Sequence, residues 1–147
     1  MAHTVDLDDP FELSRFRDAQ ERVYETALAE LRAGRKRTHW MWYIFPQIDG
    51  LGHSPTAMHY AIKSVEEARR YLDHPVLGAR LLECAEALLA VDGKSASEIL
   101  GYPDDLKLRS SMTLFASLAG APSAFLRVLE KYYGGERDAM TLRLLSG

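Results

Sequence analysis

The chain has one cysteine, Cys84, among its 147 residues. An internal disulfide is therefore excluded, and so is a cysteine-rich zinc site. Cys84 falls on the apolar stripe Leu77, Leu81, Cys84, Ala85 and Leu88 and reads as inert core. The five histidines have no metal spacing, and neither an HExxH run nor a His/Cys grouping occurs. No metal or cofactor is called for. A G-x-S-x-G elbow is missing too, which argues against a serine hydrolase. No apolar run is long enough to span a bilayer, and Met1 to Asp6 lacks the charged and apolar regions of a signal peptide. The expectation is a cytoplasmic protein without a membrane partner. Net charge is −3, so nucleic acid is not the expected partner either.

What is present is helix after helix. Asp9-Pro10-Phe11-Glu12 carries the marks of a helix start, with a capping acid, a proline in the first turn and a glutamate three residues after the cap. Phe16, Gln20, Val23, Tyr24, Ala27 and Leu31 continue as a helical stripe that Gly34 closes, which predicts a helix over 10–33. Further helices are predicted at 55–62, 65–73, 76–91, 96–101, 104–119, from about 123 to 133, and at the C-terminus. Ser64 and Ser95 stand at capping-box positions, and His74-Pro75 is a break. The fold class is all-α, a single domain over 10–147 of seven or eight helices, with residues 1–9 a loosely ordered arm. Residues 38–48 are the exception. Their Trp, Tyr, Ile and Phe favour strands, and they read as an irregular or short-strand aromatic segment. In an extended chain His39, Met41, Tyr43 and Phe45 share one face, and Trp40, Trp42 and Ile44 the other.

This aromatic segment is the candidate site. Both tryptophans of the chain lie in it, behind the basic triplet Arg35-Lys36-Arg37 and ahead of Gly50-Leu51-Gly52-His53-Ser54. Residues 34–63 carry four bases and one acid, whereas residues 1–33 carry four bases and eight acids, so an anionic ligand prefers the former. Trp40 or Trp42 can stack on a ring, and Arg35 or Lys36 can meet a phosphate. The glycine loop and the helix start after it can form an anion nest. Each feature has a plainer reading: aromatics as core, the triplet as a solvated helix end, the glycines as a turn.

A second polar cluster opens a helix at Asp104-Asp105-Leu106-Lys107, with Ser110 and Ser111 following. Asp104 and Asp105 suit a helix N-terminus, and either can bind ribose hydroxyls or act as a general base. Ser111 lies on the apolar stripe with Leu108, Met112 and Phe115, where a hydroxyl bonds back to a carbonyl or faces a ligand. Gln20 poses the same choice on the first helix: a tie to the aromatic segment, or a ligand contact. The candidate set is therefore Asp104 and Asp105 for catalysis, with Arg35, Lys36, His39, Trp40, Trp42, Gln47, Gly50, Gly52, Ser54, Lys107, Ser110 and Ser111 for binding.

The runs Gly34-Arg35-Lys36-Arg37-Thr38-His39-Trp40-Met41-Trp42-Tyr43-Ile44-Phe45-Pro46-Gln47, His74-Pro75-Val76-Leu77-Gly78 and Gly101-Tyr102-Pro103-Asp104-Asp105-Leu106-Lys107-Leu108 resemble the bacterial family called domain of unknown function 1810. The resemblance extends over residues 10–145. It implies a compact, mostly helical domain and leaves the activity open. A more distant fold-level likeness, to the domain superfamily associated with NAD and ADP-ribose derivatives, implies a ligand of that class.

Two function classes follow. One is a binder or enzyme for a small phosphorylated nucleotide or ADP-ribose-like compound. The other is a non-catalytic interaction module using the tryptophan segment, since Trp, Tyr and Arg dominate interface hot spots. A site requires a concave pocket that unites residues 35–54 with 104–111; a module requires a flat or convex apolar patch and no converging polar groups.

Overall fold

A computed structural model describes residues 9–146. Within them the chain forms nine helices: α1 (Ser14–Arg32), α2 (Met41–Ile44), α3 (Pro55–Tyr60), α4 (Val65–Asp73), α5 (Leu77–Leu89), α6 (Ala96–Leu100), α7 (Asp104–Ala116), α8 (Ser123–Tyr133) and α9 (Ala139–Ser146). The all-α class holds, and the single β feature among the described residues is a parallel bridge between Ile48 and Ile62. The arm predicted at 1–9 lies, except for Asp9, outside the described residues.

The core is a layer of α1, α4, α5, α7 and α8. A relay of rings runs through it. Phe16 meets Tyr71 edge-on at 5.1 Å, Tyr71 meets Phe115 at 5.5 Å, and Phe115 meets Phe125 at 5.9 Å. Such tilted contacts are favourable because the positive edge of one ring meets the negative face of the next. Cys84 is fully buried on α5, where its place on the apolar stripe puts it, and burial pushes its thiol up to about 12.

Two helix starts are capped differently from the sequence reading. The N-cap residue of α1 is Leu13, so the helix starts later than predicted, and Asp9 instead accepts from Leu13 N (2.6 Å) and Ser14 N (3.0 Å) across the preceding turn. Residues 10–13 form a separate turn in which Glu12 takes a left-handed φ of 53°, so it cannot complete a capping box. At α4 the Ser64 hydroxyl caps Glu67 N at 3.1 Å, but the Glu67 carboxylate turns away to Lys63 N (2.8 Å) and Arg15 (2.6 Å). At α6 the predicted capping box is complete, with Ser95 and Glu98 exchanging bonds of 2.8 and 3.0 Å.

The α4–α5 corner rests on Gly78. A methyl group placed there would lie 1.9 Å from the carbonyl oxygen of Leu72. The obstacle is backbone, so relief requires the two helices to separate. Gly78→Ala is expected to destabilise by about 3 kcal/mol, at the upper end of overpacking costs. Thermal unfolding checks this, and an unchanged melting temperature would show that the corner yields freely.

Candidate functional site

Glu30, near the end of α1, organises the segment that carries the candidate residues. Its buried carboxylate accepts from Arg37 N (2.8 Å), Thr38 N (3.1 Å), Thr38 Oγ1 (2.8 Å) and Trp40 Nε1 (2.9 Å). Burial alone would raise its pKa. The four donors outweigh that and hold it near 2. Beside it Gly34 turns with φ of 72°, and Lys36 N donates to Ile99 O at 2.7 Å. The basic triplet is thus wrapped around a buried acid.

Residues 41–44 form one helical turn rather than an extended strand. The two-residue alternation predicted for them is therefore replaced by helical spacing. Trp40, Met41, Ile44 and Phe45 all point inward and are at most 3% exposed, whereas Trp42 and Tyr43 are half-buried. The turn is anchored from below by Gln20, whose amide donates to Tyr43 O (2.7 Å) and Tyr71 Oη (3.0 Å) and accepts from Arg80 (3.3 Å). Gln20 is the tie between α1 and the aromatic segment.

The helical turn leaves the two tryptophan rings flanking the start of α7. Lys36 Nζ sits 5.3 Å from the centroid of Trp40 and 2.9 Å from Asp104 Oδ2. Lys107 Nζ sits 3.2 Å from Asp104 Oδ1 and 4.1 Å from the centroid of Trp42. Ring, ammonium, carboxylate, ammonium, ring thus follow one another from Trp40 to Trp42. The cluster is largely withdrawn from water, with side-chain exposures of 9% for Lys36, 18% for Asp104 and 23% for Lys107. Residues 35–54 and 104–111 therefore meet through charged side chains, whereas the cavities at Arg35 and at Gln47 are lined by no residue of 104–111.

The remaining candidates fall outside this cluster or serve it indirectly. Asp105 Oδ1 accepts from Leu106 N at 2.9 Å, and its carbonyl accepts from Tyr133 Oη. Ser110 donates back to Leu106 O at 3.2 Å. Ser111 does not bond back in this way: its hydroxyl is fully buried and has no partner, on the same α7 face as Asp104 and Lys107. Arg35 lines an open groove with Glu25, Ala29 and Arg37, and His39 is exposed. Gln47 borders a crevice of about 10 Å³, with Trp42, Leu51 and Gly52. Gly50, at φ 107°, backs onto Leu144, and Gly52 lies against the rim of Trp42. Ser54 caps α3 by accepting from Ala57 N at 3.1 Å. Among the described residues no group of three or more His, Cys, Asp or Glu side chains is placed to hold a metal.

Sequence reasoning missed Glu30. Its position beside Ala27 and Leu31 on the buried stripe of α1 was the available signal, because a carboxylate there needs several donors.

A family model described as "protein of unknown function (DUF1810)" matches residues 10–145. The chain belongs to this family. A solved structure, that of the conserved hypothetical protein Rv1873 from Mycobacterium tuberculosis, is 55% identical in sequence, with a TM-score of 0.93. The match covers 95% of this chain and 99% of that one. No curated protein matches the chain. This DUF1810 member therefore shares its helical plan with that neighbour, and neither description states an activity. No helix among its described residues is long and apolar enough to cross a membrane.

Proposed function

We propose that the protein binds a small phosphorylated nucleotide or ADP-ribose-like compound at the Lys36–Asp104–Lys107 cluster. The observation that carries this reading is the convergence of two largely buried ammonium groups on one carboxylate beside the half-buried ring of Trp42. Salt bridges of surface residues contribute little and need no such enclosure. An enclosed site with one more cation than anion suits a phosphate, and an adjacent indole suits a base or nicotinamide ring. Binding is better supported than catalysis. Both oxygens of Asp104 are engaged by ammonium groups, which suits it to holding charge in place more than to taking up a proton.

A second reading has its own observation. Tyr102 is 78% exposed and Leu106 is 42% exposed at the same end of α7, a surface suited to a non-catalytic protein contact. A thermal-shift series with ADP-ribose, NAD, AMP and sugar phosphates separates the two. A ligand at 100 times its dissociation constant should stabilise the protein by about 2.7 kcal/mol. The shift should vanish in Trp42→Ala if that variant keeps its helical circular dichroism. No shift with any anionic compound removes the ligand reading and leaves the interaction module.

A further inference from the structure

The cluster around Asp104 is closed by its own side chains. Its carboxylate places one oxygen 2.9 Å from Lys36 Nζ and the other 3.2 Å from Lys107 Nζ, the spacing that two oxygens of a phosphate would adopt toward the same ammonium groups. Lys107 Nζ lies 4.1 Å over the ring of Trp42, the position that a stacked base would need. Both ligand positions are thus occupied internally, one by an anion and one by a cation.

We infer that Asp104 is an intramolecular competitor for the phosphate position and that Lys107 is the movable element of the site. The inference rests on the ligand reading above. A phosphate entering between the lysines displaces the Asp104 carboxylate. Lys107 then follows the phosphate and leaves the face of Trp42, so one side-chain movement supplies charge to the anion and uncovers the ring. The movement is available to Lys107 because four rotatable bonds separate its ammonium from α7 and its side chain keeps 23% exposure. Lys36, at 9% exposure and with its backbone pinned to Ile99, is the fixed partner. Pairing with Asp104 also explains how two enclosed ammonium groups coexist in the fold, since unpaired they would repel and lack solvation. The ligand class this selects is a pyrophosphate or phosphomonoester bearing a ring. A neutral nucleoside offers nothing to exchange for the carboxylate.

The test is calorimetric titration of pyrophosphate and of ADP-ribose into the full-length protein and its variants. Asp104→Asn removes the competing charge, so it should bind both compounds about tenfold more tightly than the wild type, the scale of one charge-assisted hydrogen bond returned to the ligand. Adding Lys107→Gln to Asp104→Asn should abolish the gain. If the wild type binds ADP-ribose and a folded Asp104→Asn binds no more tightly, the competitor role is wrong while the ligand reading stands. If no form binds either compound, both fall together. Carbon-13 NMR of the wild-type aspartate carboxyl groups gives a second measurement that does not depend on the variant folding. The Asp104 signal should move on saturation with pyrophosphate as its carboxylate is displaced from the two ammonium groups, and an unmoved signal overturns the inference.

Discussion

Glu67→Ala is expected to lower stability by about 3–5 kcal/mol, the cost of stranding a buried charge by deleting its partner. Glu67 is 1% exposed and Arg15 is 11% exposed, with 2.6 Å between them. The pair does more than neutralise charge. Arg15 spreads its donors over the carbonyl oxygens of Phe11 (2.6 Å), Glu12 (3.0 Å), His59 (2.8 Å) and Ala61 (3.0 Å), which joins the turn before α1 to the end of α3. Glu67 also accepts from Lys63 N at 2.8 Å and so orients the entry to α4. Without the carboxylate, the guanidinium stays against these carbonyls with its charge unbalanced. Urea unfolding followed by circular dichroism measures the loss. Glu67→Gln should cost less, because its amide oxygen can still accept from Lys63 N while the charge is gone. Equal losses for the two variants would mean that the ion pair, and not the hydrogen bond from Lys63 N, carries the energy.

Glu30→Ala is expected to be comparably damaging, at about 3 kcal/mol or more. Three N–H groups and one hydroxyl lose their acceptor together, and an unsatisfied buried donor costs about 1–3 kcal/mol. The loss should lower the melting temperature by roughly 10 °C for a domain of this size. It should also loosen the 36–40 segment, so ligand affinity at Lys36 should fall in step. A pH dependence follows from the same residue. Its carboxyl is held near 2 in the folded protein against an ordinary value of 4.5. The unfolded chain therefore takes up the proton first as pH falls. The contribution is complete above pH 4.5 and is lost as pH falls through 2. Wild-type stability should thus decline with acid more steeply than that of Glu30→Ala. Parallel curves would mean that another carboxylate governs acid unfolding.

Most helices were legible because their signals are local. Ser64, Ser95 and Gly134 mark ends that the structure keeps, and the Leu77–Leu88 stripe buries as its spacing requires. The aromatic segment was misread because strand propensity in Trp, Tyr and Ile reflects packing on a half-buried surface more than a backbone preference. Here Gln20, seated beneath Tyr43 O, and Glu30, bound to the Trp40 indole, supply packing that suits a helical turn. The proximity of Lys36 to Asp104 was foreseeable only as a requirement. Nothing in either local sequence encodes which acid meets which base across so many intervening residues. The division of labour between Ser110 and Ser111 was equally hidden, since adjacent hydroxyls on one helix differ only in the direction each faces.

The Lys36–Asp104 contact has a consequence for synthesis on the ribosome. Chains emerge from the N-terminus, and domains tend to fold in that order. The Glu30 anchorage of Thr38 and Trp40 uses neighbours in the chain and can form early. The Lys36 ammonium, by contrast, lacks its carboxylate partner, and Trp42 its covering lysine, until the start of α7 has left the exit tunnel. During that interval the nascent chain presents an unpaired ammonium beside an uncovered indole. Completion of translation, more than collapse of the first half, is what closes this part of the molecule.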